Sequence, residues 1–157
     1  MPHRRLQRFL KRGLDILVSA PLLLLTLPLL PLLALLIRLD SRGPVFYRQT
    51  RVGRGGRPFH LVKLRTMTRD AEASGPVWSR RGDPRATRLG GWLRRTGLDE
   101  FPQLWNVVKG DMSLVGPRPE RPEFVAQFER EISGYAGRHA LRPGITGWAQ
   151  VNGLRGD

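Results

Sequence analysis

Hydrophobic and polar positions divide this chain unevenly. Residues 16–37, ILVSAPLLLLTLPLLPLLALLI, carry no charge. Such a run of about 22 residues is long enough to span a bilayer if it is helical throughout. Pro21, Pro28 and Pro31 interrupt it, and each removes a helix hydrogen-bond donor. Ser19 and Thr26 lie close enough to these prolines to satisfy the carbonyls they free. Both flanks are basic: Arg4, Arg5, Arg8, Lys11 and Arg12 precede the run, and Arg38 and Arg42 follow it. That distribution favours keeping both ends in the cytoplasm. A broken helix that enters one leaflet and returns fits all three features better than a single-pass anchor does. A signal peptide fits worst, because no small-x-small cleavage pattern follows Ile37.

Beyond the apolar run the pattern shortens. Residues 43–67, GPVFYRQTRVGRGGRPFHLVKLRTM, hold two β-prone stretches, 45–47 and 59–64, on either side of a turn at Gly53, Gly55 and Gly56. Alternation in HLVKLR puts Lys63 and Arg65 on one face and Leu64 on the other. Residues 68–83 are polar and turn-rich and read as a mobile loop. From Ala86 onward, Leu89, Trp92 and Leu93 recur at helical spacing, and Gly97 supplies a stop. Another helix is expected to open near Asp99 and Glu100, with Pro102 in its first turn, Leu104, Val107 and Val108 on its apolar side, and Gly110 as its end. Residues 121–140 predict a third amphipathic helix with Phe124, Val125, Phe128 and Ile132 inward. The glycine-rich tail LRPGITGWAQVNGLRGD reads as a loop. The expectation is an α+β fold in two parts. Residues 1–42 form a basic segment and re-entrant membrane hairpin, and residues 43–157 form a small cytoplasmic domain of helices and short strands.

Charge narrows the range of partners. The chain has 27 Lys+Arg against 13 Asp+Glu, a formal net charge of +14. Such a field attracts phosphates in nucleotides, nucleic acids or anionic lipid headgroups, and arginine suits bidentate phosphate binding. Nucleic acid is not expected as a partner, since the uncharged block has no place there. Nor do Trp78, Trp92, Trp105 and Trp148 form an obvious stacking platform. The chain has no cysteine, and its three histidines, His3, His60 and His139, are scattered, so neither a disulfide framework nor a zinc site is expected.

The pair Asp99 and Glu100 permits two readings. Acidic residues cap helix N-termini, which stabilises them by about 0.3–1 kcal/mol. The same pair near Arg88, Arg94, Arg95 and Arg118 also holds the parts of a phosphoryl-transfer site: a carboxylate nucleophile, an oxygen ligand for Mg²⁺, cations for the phosphate oxygens and helix amides. In Gly116, Pro117, Arg118 and Pro119, two prolines stiffen a turn that aims one arginine. Lys63 and Arg65 are either strand-surface charges or phosphate ligands. Arg142, Pro143 and Gly144 open a Gly/Thr loop whose amides could cradle a phosphate.

Taken in order, KRGLDIL, GPVFYRQTRVG, KLRTM, DPRATRLGGWLRRTGLDEFPQLWNVVKGDMSLVGPRPE and RPGITGWAQVNG resemble the bacterial sugar transferases, the monotopic phosphoglycosyl transferases, from Lys11 to Gly153. The resemblance implies transfer of a sugar 1-phosphate from a UDP-sugar to undecaprenyl phosphate with release of UMP, at the cytoplasmic face of the bacterial inner membrane. It implies Asp99 as nucleophile and Glu100 as its acidic partner and Mg²⁺ ligand. It also implies Lys63, Arg94, Arg118 and Arg142 as phosphate or substrate ligands, beside which Arg65 and Arg88 are further candidates. Neighbouring arginines are expected to keep Asp99 ionised. The resemblance puts Pro28 at the break of the re-entrant helix, with Leu27 where the family often has serine and Thr26 as the substitute hydrogen-bonding group. Family members continue for several tens of residues beyond the point matching Asp157, so a C-terminal truncation is expected. The alternative is an inactive, truncated member that serves only as a basic membrane module.

Overall fold

Pro28 ends one helix and opens the next. The computed structural model describes residues 2–73, 75, 77–80 and 82–153. The side chain of Arg4 and the chain end at Asp157, both used above, lie outside the described features. Helix α1 (Pro2–Thr26) and helix α2 (Leu29–Asp40) meet at Leu27 and Pro28 and bend by 59°. Pro28 has no amide to donate, and the ladder tightens just before it: the Leu27 amide reaches both Leu23 O (3.1 Å) and Leu24 O (3.3 Å). The Thr26 hydroxyl donates to Leu23 O at 2.9 Å, as its position suggested. Ser19 does not play the matching part at Pro21. It is buried, and its hydroxyl has no partner among the described residues. Pro31 sits in the first turn of α2, where the amides have no intrahelical acceptor in any case. No single described helix is long and apolar enough to cross a membrane, but the bent pair together has the length and composition to do so.

The remaining elements are short. Strands β1 (Phe46–Val52) and β2 (Pro58–Leu64) pair antiparallel, with Tyr47 opposite Lys63, and a 3₁₀ turn at Arg54–Gly56 joins them. Helix α3 (Arg88–Thr96) starts where the Thr87 hydroxyl accepts the Gly90 amide (2.9 Å) and stops at Gly97, whose φ is +73°. A 3₁₀ turn, Leu98–Glu100, separates it from α4 (Gln103–Lys109). Asp99 and Glu100 therefore lie ahead of α4 and not in its first turn: Pro102 forms the boundary, and the expected helix begins later. Strand β3 (Ser113–Val115) pairs in parallel with β4 (Gly144–Thr146), and α6 (Trp148–Val151) follows. Residues 144–151, expected as loop, thus hold a strand and a short helix. The helix expected over residues 121–140 ends early. Helix α5 covers Pro122–Glu131, then the chain turns at Gly134 (φ +76°) into a 3₁₀ stretch, Tyr135–Ala140, and Ile132 is exposed. Branched Ile132, Ser133 and Gly134 are poor helix formers in succession.

Two apolar clusters hold these pieces. Leu33 and Ile37 of α2 pack with Val45, Leu64 and Leu93; Leu61, Val107 and Met112 form the other group. Polar contacts fix α1. Arg12 donates to Val107 O (2.5 Å) and Val108 O (2.7 Å) near the C-terminus of α4, where a cation suits the helix dipole. Asp15, only 2% exposed, accepts from the Ser113 hydroxyl (2.9 Å), the Leu114 amide (3.1 Å) and Lys11.

Candidate active site

The α4–β3 segment carries its chemistry at its two ends. Gly97, in the left-handed region, turns the chain out of α3 and presents Asp99 and Glu100 on one tight turn. At the far end of the segment, β3 leads into Gly116 and Pro117. The Gly116 amide bonds Thr146 O (2.9 Å) and the Gly144 amide bonds Pro117 O (2.9 Å). A Cβ on Gly116 or Gly144 would strike the backbone of the other's loop. The two loops therefore lock together, and Arg118 emerges from them with Nη2 3.5 Å from Glu100 Oε1. The Gly144 amide is spent in this lock, so that one amide of the Gly/Thr loop is not free for a phosphate.

Beside this turn lies a cavity of about 350 Å³. Alternation along β1 sends Tyr47, Gln49 and Arg51 into it, and β2 adds Lys63 next to Tyr47, its Nζ 5.4 Å from the ring centroid. Arg94, Arg118 and Arg121 approach from α3, the Gly116 turn and the start of α5. Trp78, stacked on Phe124 at 4.5 Å between ring centroids, forms an aromatic wall. Asp99 and Glu100 are not lining residues of the cavity. They stand at its border: Asp99 feels the charges of Lys63 and Arg94, and Glu100 pairs with Arg118.

Asp99 is 5% exposed. Burial pushes its carboxyl above the ordinary 3.8, Lys63 and Arg94 pull it down, and Glu100 pushes it up again. The net direction is upward: desolvation outweighs the two cations, which hold the carboxyl lower than burial alone would leave it. Lys63 is the counterpart. Burial lowers its ammonium below the usual lysine value, and Asp99 opposes that shift. The Glu100 carboxylate is partly exposed and, among the described residues, meets Arg118 at the outer limit of hydrogen bonding.

Asp99, Glu100, Lys63, Arg94 and Arg118 thus gather in one place. The other three candidates do not join them in the same way. Arg65 reaches the cavity edge, but its guanidinium turns back to Ser41 O (2.5 Å), Ser41 Oγ (3.0 Å) and Ile37 O (3.3 Å), tying α2 to the end of β2. Arg88 is exposed at the start of α3, and Arg142 is half-exposed before β4; neither lines the cavity. Sequence reasoning passed over Tyr47, Arg51, Trp78, Glu120 and Arg121. The period-two pattern in FYRQTRV could have revealed Tyr47 and Arg51, which face the same way as Lys63 once the strands pair.

The sequence pattern of the bacterial sugar transferases matches residues 6–157. This chain belongs to that family. Among curated relatives, the chain is 51% identical over 143 residues to the UDP-N-acetylgalactosamine-undecaprenyl-phosphate N-acetylgalactosaminephosphotransferase of Aeromonas hydrophila, covering 91% of this chain and 34% of the relative. It is 51% identical over 146 residues to the UDP-glucose:undecaprenyl-phosphate glucose-1-phosphate transferase of Caulobacter vibrioides, covering 93% of this chain and 55% of that one. It is 47% identical over 151 residues to the exopolysaccharide production protein PSS of Rhizobium leguminosarum bv. phaseoli, covering 94% and 76%. The chain therefore spans about a third of the Aeromonas relative and about half of the Caulobacter one.

Proposed function

We propose that the chain transfers a sugar 1-phosphate from a UDP-sugar to undecaprenyl phosphate and releases UMP, as a priming step in building exopolysaccharide, capsule or O-antigen. The observation that carries this reading is the buried Asp99 beside Glu100, at the border of a cavity lined by Lys63, Arg94 and Arg118. In the first step an Asp99 carboxylate oxygen attacks the sugar-bearing phosphorus. A phosphorus–carboxylate bond forms as the phosphorus–oxygen bond to UMP breaks, and UMP leaves with the bonding pair. An oxygen of undecaprenyl phosphate then attacks the same phosphorus and frees the Asp99 carboxylate. Lys63 and Arg94 favour the ionised nucleophile, and Arg118 is placed to balance charge on the transferring phosphoryl group.

Glu100 suits Mg²⁺. The described residues hold no cluster of three or more acidic, histidine or cysteine side chains, and the Glu100 carboxylate is only loosely engaged by Arg118. A hard cation held by one or two carboxylates, with substrate phosphates and water completing its shell, is the usual Mg²⁺ arrangement. Bound there, the ion would neutralise charge on the diphosphate. The bent pair α1 and α2, with basic residues on both flanks, supports a re-entrant seat in the bacterial inner membrane with the cavity on the cytoplasmic face. The relatives named above use different sugars, so the sugar is left to experiment.

The test is UMP release from a panel of UDP-sugars with undecaprenyl phosphate and Mg²⁺, run beside Asp99→Asn. Release that requires lipid and metal, and that falls by about four orders of magnitude in the variant, is expected. Retained turnover in Asp99→Asn would sink the covalent route. No release with any sugar would favour the membrane-module alternative.

A further inference from the structure

The transferase reading requires a long isoprenoid chain to reach a cavity whose reactive end is lined by cations. A second concavity lies on the other face of β1. Tyr47, Gln49 and Arg51 line the reaction cavity, while Phe46 and Arg48, alternating with them, face an open groove. Ala34, Leu35 and Arg38 of α2 form the opposite wall. The groove is apolar along its floor and carries two guanidiniums, Arg38 and Arg48. It is continuous with the exposed leucines of the bent helix pair, because Leu35 itself is 56% exposed and its neighbours Leu32, Leu36 and Leu39 are exposed too. Pro44 lines both the groove and the reaction cavity, so the two concavities meet around the start of β1.

We propose that this groove seats the first isoprene units of the undecaprenyl phosphate acceptor and delivers its phosphate past Pro44 into the cavity. This inference rests on the transferase reading. An isoprenoid chain cannot enter water without large cost, so it must travel along apolar surface that opens towards lipid. Its phosphate, in contrast, needs cations on the same path. Leu35, Ala34 and Phe46 meet the first requirement, and Arg38 and Arg48 meet the second. Another apolar concavity, around Val115, Ile132 and Trp148, carries its cations at Arg118 and Arg138 but is lined by no residue of the bent helix pair.

The test uses the full chain in phosphatidylcholine vesicles with graded undecaprenyl phosphate. In Leu35→Gln and in Phe46→Gln, the KM for undecaprenyl phosphate is expected to rise about tenfold while the KM for the UDP-sugar stays within about twofold. Arg38→Gln combined with Arg48→Gln should raise the lipid KM in the same selective way. An equal rise in both KM values, or none in either, overturns the proposal. A polyprenyl phosphate with a photoreactive first isoprene unit provides a readout that does not depend on turnover. It should label residues 34–48, and excess undecaprenyl phosphate, but not phosphatidylglycerol, should suppress the labelling. Labelling around Trp148, or equal competition by phosphatidylglycerol, overturns the groove. If the wild-type chain labels correctly yet releases no UMP, the groove stands and the transfer reading falls.

Discussion

The bent helix pair and the domain it carries bury opposite kinds of residue. In the domain, Leu64, Leu93, Val107 and Met112 are fully buried, and most charges face water or the cavity. In α1 the order is reversed: Asp15, Ser19 and Thr26 are buried, while Leu17, Leu24 and Leu25 stand exposed. The half-buried Arg12 and the buried Asp15, Ser19 and Thr26 follow each other at helical spacing, so α1 turns one polar stripe inward, and Arg12 and Asp15 of that stripe bond the domain. Such a division is what an element needs when its outer solvent is hydrocarbon and its inner partner is polar. The joint between the two regions is therefore held by hydrogen bonds and charge at Arg12 and Asp15, and by apolar packing of α2 against Val45, Leu64 and Leu93.

The largest expected effect breaks that joint. Asp15→Ala leaves the Ser113 hydroxyl, the Leu114 amide and Lys11 without their shared acceptor. Stability should fall by about 3 kcal/mol, read by denaturant unfolding in detergent micelles. A loss below about 0.5 kcal/mol would mean that Asp15 does not hold the joint. The outer surface comes next. Leu25→Arg puts a charge on an exposed leucine near the break and should weaken membrane partitioning by about 2–3 kcal/mol, measured by vesicle flotation, with tryptophan fluorescence unchanged. Unchanged flotation would remove the contrast between the two regions.

Much of this was legible in the chain. The uncharged run, the strand pair around its glycines, the Gly97 and Gly110 stops and the Arg118 turn depend on local rules and appear near where those rules put them, although β1 runs on to Val52; the break at Pro28, one of three prolines in the run, followed from the family resemblance. What was hidden depends on contacts between segments distant in sequence. Asp15 reads as one acid in a basic flank until Ser113, 98 positions away, reaches it. Arg65 alternates with Lys63 on paper, but the end of α2 captures its guanidinium. Strands β3 and β4 are three residues each, too short to show a period, and they exist because the Gly116 and Gly144 loops lock. The site was readable as a pair of carboxylates. Its Tyr47, Arg51 and Trp78 walls required the strand register and the path of the 68–85 segment.

A smaller effect separates two adjacent glycines within the domain. Gly90 is buried, and a Cβ there would collide with the Thr66 backbone, whereas a Cβ on Gly91 meets nothing within 4 Å. Gly90→Ala should cost about 2 kcal/mol through forced displacement of the β2 end from α3. Gly91→Ala should be neutral or slightly stabilising, because alanine is the better helix former. Thermal unfolding of both variants checks this, and equal behaviour would show that the contact between α3 and Thr66 is not tight.

The finest effect lies in the pH profile. Burial holds the Asp99 carboxyl above the ordinary 3.8, so the protonated form persists to higher pH in the folded protein than in a free chain. A protonated carboxyl is not a nucleophile, so transfer should rise with pH through an acid limb set by Asp99 and displaced upward from 3.8. The neighbours then act in opposite senses. Lys63 lowers the Asp99 value, so Lys63→Met should move the limb to higher pH. Glu100 raises it, so Glu100→Gln should move the limb to lower pH, although its loss also lowers the maximum rate. Each profile is normalised to its own maximum, so that lost substrate or metal binding does not mask the shift. If both substitutions moved the limb the same way, Asp99 would not be the group that sets it, and the carboxylate that attacks phosphorus would have to be sought elsewhere at the cavity border.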